Sequence, residues 1–276
     1  MKHIFVIVFS IVVIEAGIFL PYIHGDYDFF AVGLSYIFQF AAFTSLLLVP
    51  LGLIWFILNI VNGKNAEAVK YPVYIRKSAF VVTVIIVLAA ALGAFASNNR
   101  FSAIIILAIG VFTLFILRKR MKDLHSVPDN IVPYYFMFIP LSIVFFRLTY
   151  LEKVKENATD FVITQSEQLI HDIEEYKKIN GHYPISLLST IEDYKPLVSG
   201  IPRFHYELNG DAYNLYFEQI SSMIGTEEIV MYNKLGEHEM TVHNQDLLRI
   251  APASIRRGYH KVADHFRKDW KIFYFD

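Results

Sequence analysis

The chain has 276 residues, of which 55% are hydrophobic, 18% charged and 16% aromatic, with a formal net charge of -1 and a mean hydropathy of +0.41. That is too apolar for an ordinary soluble domain and too polar for membrane spans alone. A balanced charge lacks the basic footprint of a nucleic-acid binder, and the absence of cysteine excludes disulfides, thiolate metal sites and thiol nucleophiles.

A division near Tyr150 explains the average. Acidic residues before it are few: Glu15, Asp26, Asp28, Glu67, Asp123 and Asp129. After it, charge is dense and long apolar runs end. The expected organisation is a transmembrane domain over 1–150 and a water-exposed α+β head over 151–276, whose length of about 125 residues suffices for one small core.

In chain order, five apolar segments have the roughly 17–25 residues needed to cross hydrocarbon as helix. They run approximately Ile4–Ile23, Leu34–Val61, Ser78–Ala96, Phe101–Leu117 and Ile131–Tyr150. None shows the polar face of a soluble amphipathic helix. Lys2, the group Lys64, Lys70, Arg76 and Lys77, and the run "RKRMK" (Arg118–Lys122) fall on one side if every segment crosses. The opposite loops are "HGDYD" (His24–Asp28), without Lys or Arg, and "SNNR", with Arg100 alone. Basic loops stay in the cytoplasm, so the N-terminus is expected inside and the head outside. The first segment reads as an uncleaved anchor, because Glu15 interrupts it and no small-residue cleavage site follows.

Within the membrane half, Pro50 is expected to kink the second span. "AAALGAFAS" (Ala89–Ser97) offers small residues for close helix packing, and the short "SNNR" makes spans three and four an antiparallel hairpin. Glu15 and Arg147 lie near the outer ends of the first and fifth spans. A carboxylate in lipid is costly and usually partnered, so the two form a candidate intramembrane pair. Gln39 and Thr44 add little polarity.

From Leu151 the chain stays helical, with Leu151, Val154, Ala158, Phe161, Val162, Leu169, Ile173 and Tyr176 at three- and four-residue steps. No breaker separates Ile143 from Lys178, so the fifth span is expected to run directly into this amphipathic helix. Asn180-Gly181 ends it, since Gly takes the left-handed C′ conformation without strain, and Pro184 forbids continuation. Ser186 is a cap for a short helix to about Glu192. "RFHYEL" and "AYNLYFEQ" flank "NGD" as a hairpin. "EIVMYN" and "EMTVHN" flank "KLGEH" as a second. One more strand is expected near Gly258–Val262, and "WKIFYFD" (Trp270–Asp276) closes the sheet.

The half-apolar helix, the junction "YKKINGHYP" with Tyr176, Gly181, Tyr183 and Pro184, the short helix and the antiparallel sheet together resemble the pseudopilins of type II secretion systems. The likeness spans roughly Pro140 to Gln219. It implies a pilin-like head in the envelope of a bacterium, anchored in the cytoplasmic membrane, with the "HYP" corner handing the chain from helix to sheet. Here that helix follows four other apolar segments, and "DNIVPYYFMFIPLSIVFF" carries neither a prepilin processing site nor an early Glu. The resemblance therefore implies a head fold, not filament assembly.

No chemistry-bearing motif stands out. The histidines form no i, i+4 zinc pair, "EHE" (Glu237–Glu239) sits at a turn, and neither a phosphate loop nor a nucleophile elbow is present. No cofactor or metal is expected. Basic residues gather late, at Arg249, Arg256, Arg257, Lys261, Arg267, Lys268 and Lys271. They suit either neutralisation of the acidic hairpins or a basic surface facing anionic headgroups or an acidic partner. The expected function is non-enzymatic: the bundle sits in the lipid bilayer and presents the head to a protein or envelope component, in an assembly-accessory or immunity role. The alternative is a small transporter or intramembrane enzyme centred on Glu15 and Arg147, with the head as regulator.

Overall fold

Uninterrupted apolar runs leave a backbone in lipid or core no partner but itself, and helix is the local solution. The computed structural model describes residues 2–62, 73–96, 100–123, 132–189, 193–222, 226–238 and 259–275. Among these residues there are six α-helices: α1 Lys2–Phe19, α2 Phe29–Ser45, α3 Leu48–Asn62, α4 Val73–Ala96, α5 Arg100–Asp123 and α6 Val132–Asn180. An antiparallel sheet follows, so the chain is α+β. It divides into two compact units, Met1–Leu20 with Phe30–Glu152, and Pro21–Phe29 with Lys153–Asp276. The division falls close to Tyr150, but one short piece of the apolar half, Pro21–Phe29, belongs to the second unit.

Among the described residues, Ile4–Tyr22 and the helix Pro133–Asn180 are long and apolar enough to cross a membrane, and α2 with α3 makes a third if that bent pair is one span. That shows two or three candidate spans where the sequence suggests five. The pair bends by 43°. The break lies at Leu46–Leu47, three to four residues before Pro50, where the kink expected of that proline falls. Pro50 has no N–H to give to Leu46 O, which accepts instead from Val49 N–H at 3.1 Å. The first apolar segment also ends early: α1 stops at Phe19, a 3-10 turn covers Leu20–Tyr22, and Ile23 is outside the helix.

Helices α4 and α5 pack as an antiparallel hairpin. Ala91 is buried with Ala103 and Ile106, while a Cβ on Gly110 would lie 2.2 Å from the Val87 side chain. Small residues thus set the approach of these helices, as the Ala-rich stretch suggested.

Helix α6 runs without a break from the last apolar segment into the amphipathic stretch, as expected, as one 49-residue helix containing Pro140. The sheet has strands β1 His205–Asn209, β2 Ala212–Ile220, β3 Glu227–Tyr232, β4 Tyr259–Asp264 and β5 Trp270–Phe275, in spatial order β1-β2-β3-β5-β4. The first hairpin forms around Gly210, whose φ of +57° needs a left-handed turn residue. The expected hairpin between "EIVMYN" and "EMTVHN" does not: both edges of β3 are taken, by β2 and by β5. Residues 239–244 lie outside the described residues. The strand sought near Gly258–Val262 is β4, an edge strand with a bulge between Tyr259 and Lys261. The short helix after Ser186 contracts to a 3-10 turn at Leu187–Ser189, and 190–192 are outside the described residues.

The two faces of the sheet differ. One gathers Tyr216, Ile229, Met231, Phe273 and Phe275. The other faces α6 and carries Tyr213, Leu215, Phe217 and Trp270, all at most 5% exposed. On this seam α6 buries Val162, Leu169 and Ile173, and also polar residues the apolar pattern did not reveal: Lys155, Thr159 and Ser166. Lys155 Nζ donates to Glu228 Oε1 at 2.9 Å with both side chains buried. Glu228 also accepts from Gln219 Nε2 and Ser221 Oγ, and Thr159 Oγ1 donates to Gln219 Oε1. The carboxylate is thus held by three donors, which is how a buried charge is made tolerable.

Breaking that pair from one side strands a buried charge. Lys155→Met should cost about 3–5 kcal/mol, whereas Lys155→Met combined with Glu228→Leu should recover most of that loss. Thermal unfolding followed by tryptophan fluorescence of the full chain in detergent checks this. Equal destabilisation in the single and double variants would show that the pair does not hold the seam.

Candidate functional site

The segment between α1 and α2 contains Pro21 and Gly25, so neither helix can continue through it. Within the second unit this segment pairs antiparallel with residues 197–200, as a bridge between His24 and Val198. Gly25 N–H donates to Leu197 O and Ser199 N–H to Ile23 O, each at 2.9 Å. Asp28 N–H donates to Ser199 O at 2.9 Å and Gly200 N–H to Pro21 O at 2.7 Å. Side chains lock the same contact. Tyr22 OH donates to Ile220 O at 3.1 Å, and the His24 ring stacks on Phe161 of α6 at 3.9 Å. A Cβ on Gly200 would meet Pro21 O at 2.7 Å, so only glycine permits the closest approach.

This clip builds a cleft of about 370 Å³ within the second unit. Asp26 and Tyr27 come from one side; Asp193, Tyr194, Lys195 and Arg203 come from the other. Pro196, Leu197, Ile201 and Pro202 complete the wall. Leu197 holds φ at +52°, a conformation that costs a non-glycine residue about 1–3 kcal/mol and is kept only where its surroundings impose it. Among the described residues, the two carboxylates and two cations of the cleft form no ion pair with one another within 4.0 Å. Behind the cleft, Tyr194 OH donates to Asp172 Oδ2 on α6, and this hydrogen bond holds the Asp172 carboxyl below the usual carboxylate range. The volume, concavity and mixed charge suit a small polar ligand.

The residues singled out by sequence lie elsewhere. Arg147 and Glu15 are both buried in the first unit, with Arg147 the opposing charge that acts on Glu15. Their link is not a hydrogen bond. Arg147 Nη2 donates to Gln39 Oε1 at 2.9 Å, Gln39 Nε2 donates to Ser35 Oγ at 3.0 Å, and Ser35 Oγ donates to Ile18 O at 2.7 Å. The guanidinium also sits 4.5 Å from the Phe43 ring centre. Ser35, Gln39 and Phe43 follow at four-residue steps on one face of α2, a polar spacing the sequence reading passed over. Neither carboxylate oxygen of Glu15 has a hydrogen-bond partner among the described residues. Thr44 bonds locally to Phe40 O.

The junction residues are architectural in their contacts. Gly181 has φ +79° and its N–H donates to Lys177 O, closing the C-terminus of α6. Tyr183 donates to Glu174 Oε1, packs edge-on against Tyr213, and lies beneath Lys177 Nζ. Pro184 O accepts from Tyr206 OH at 2.9 Å, and Tyr176 meets His182 edge-on. Of the basic residues, Arg267 is held by Asp160 at 2.7 Å and Glu167 at 3.5 Å, both on α6 rather than on the hairpins. Lys261 lies over the Tyr274 ring, and Lys268 is exposed beside Asp269. Arg249, Arg256 and Arg257 lie outside the described residues. Among the described residues no group of three or more His, Asp or Glu is placed to hold a metal ion.

Comparison of the chain with protein-family models, curated proteins and solved structures finds no match in any of the three.

Two outcomes check the site. Gly200→Ala should push Pro21 away and weaken the clip, so proteolysis of the native protein within 21–29 should accelerate while β2 and β3 stay protected from hydrogen exchange. Tyr194→Phe should return Asp172 towards the ordinary carboxylate value, read by carbon-detected NMR titration. Because Asp172 is depressed in the fold, the stability it contributes is present above about pH 4 and lost as pH falls through its lower folded value. The stability gap between wild type and Tyr194→Phe should therefore close in acid.

Proposed function

We propose that this is a non-enzymatic integral membrane protein of a bacterial envelope, whose bundle anchors a pseudopilin-like head that binds a protein or other envelope component outside the cytoplasm. The observation that carries the reading is the clip. Residues 21–29 follow one apolar helix, and the head follows the apolar part of α6, yet the two pair backbone to backbone. That pairing supports placing both on one side of the bilayer, with an even number of crossings between Phe29 and Lys153. Four crossings, by the bent α2–α3, α4, α5 and α6, meet that condition and make five in all. A re-entrant α2–α3 would leave three and is disfavoured.

The Lys- and Arg-free loop His24–Asp28 supports placing that shared side outside, with the basic loops inside. A long helix ending in a Gly-His-Tyr-Pro corner before an antiparallel sheet supports the pilin-like head. The mixed-charge cleft supports binding as its task. The alternative, transport or intramembrane chemistry at Glu15 and Arg147, draws on the carboxylate oxygens of Glu15 that accept no hydrogen bond. Gln39 and Ser35 nearby, however, are spent on Arg147 Nη2, on each other and on the Ile18 carbonyl.

The chain has no native cysteine, so single cysteines report cleanly. An impermeant maleimide applied to intact cells should label Asp26→Cys and Asp211→Cys alike, and leave Lys64→Cys unlabelled until the membrane is opened. Opposite labelling of Asp26→Cys and Asp211→Cys would sink the proposed topology. A photo-crosslinking residue in place of Tyr27 should then capture an envelope component in living cells, and the same residue at Arg118 should not.

A further inference from the structure

The charges around the cleft specify more than binding. Asp26 and Asp193 are acceptors only, and Lys195 and Arg203 are donors only. All four line one cavity of about 370 Å³ without pairing with one another among the described residues. The clip holds the loop that carries Asp26 against the segment that carries Asp193, Lys195 and Arg203 through backbone bonds alone. The cavity sits at the small end of ligand pockets, which run about 300–1,000 Å³. Its apolar wall consists of two prolines, Leu197 and Ile201, and its tyrosines offer ring faces with polar tips.

We infer that the cleft binds a small zwitterion, a free amino acid or a short unblocked peptide. Its ammonium is held by Asp26 and Asp193, and its carboxylate by Lys195 and Arg203. A simple anion would leave two carboxylates facing it, and a simple cation would meet the lysine and arginine. A molecule carrying both charges within a few ångströms satisfies all four. The inference rests on the head being a binding module and names the chemistry of what it takes.

The test uses the full chain in lipid nanodiscs and calorimetric titration with L-alanyl-L-alanine, its N-acetyl derivative and its C-terminal amide. The unblocked dipeptide should bind saturably. Each blocked form loses one set of charge-assisted bonds and should bind about tenfold to a hundredfold more weakly. Asp26→Asn should lose the discrimination against N-acetylation while keeping that against the amide, and Arg203→Gln should show the reverse. Unchanged tryptophan-monitored melting verifies that each variant is folded. Absence of binding by the unblocked dipeptide, or equal binding of all three, overturns the zwitterion. Capture through Tyr27 would still support an envelope-binding head in that case. Failure of the labelling pattern would instead remove the reading on which both rest.

Discussion

The antiparallel pairing of residues 21–28 with 197–200 is the constraint on which the rest of this protein depends. It joins parts of the chain separated by most of the apolar half, through four backbone hydrogen bonds and a bridge between His24 and Val198. Each such bond is worth only about 0.5–1.5 kcal/mol net. Their joint effect is larger than their sum in energy, because backbone pairing cannot form across a bilayer. Closure entropy grows only logarithmically with the length of the loop closed, so so long a separation is thermodynamically tolerable. The same few bonds create the cleft wall and hold Leu197 in its unfavourable conformation.

The seam between α6 and the sheet shows a second use of polar groups. An apolar stripe alone would tolerate sliding of the helix by a turn. Lys155, Thr159 and Ser166 interrupt the stripe, and the first two meet Glu228 and Gln219 in only one register. The aromatic side of the same seam, with Tyr183, Tyr206, Tyr213 and Tyr232 about one another, leaves the Tyr213 hydroxyl buried without a hydrogen-bond partner among the described residues. Burial drives that phenol's pKa far above its ordinary value, so it stays neutral. The polar network and the aromatic cluster together make the seam specific at one end and tightly packed at the other.

In the first unit, the arginine that would be most costly in lipid is met by neutral acceptors in series. Arg147, Gln39, Ser35 and the Ile18 carbonyl form one chain of donors, and its last member satisfies a carbonyl at the C-terminal end of α1 that has no partner within its own helix. Glu15 is buried in this neighbourhood, and neither of its carboxylate oxygens has a hydrogen-bond partner among the described residues.

By itself the sequence determined whatever depends on local periodicity and backbone chemistry. The apolar runs became helices, α6 ran unbroken to Gly181, the "NGD" turn formed, and the strand positions near 205–220 and 259–275 were legible from alternation and turn residues. Glu15 and Arg147 were visible because charge is conspicuous in an apolar run. The kink at Leu46–Leu47 was legible too, because Pro50 has no N–H for the Leu46 carbonyl four residues earlier. Only the tertiary structure decided what each element faces. Strand β3 gave both its edges to β2 and β5, since the best partner of a strand is set by the whole sheet and not by the next apolar run. Lys155 and Thr159 looked like solvent-facing residues because their partners lie some 60 to 73 positions away. The cleft was invisible for the same reason: "HGDYD" reads as an ordinary short loop until the segment at 197–200 pairs with it, and backbone hydrogen bonds carry almost no signature in side-chain identity.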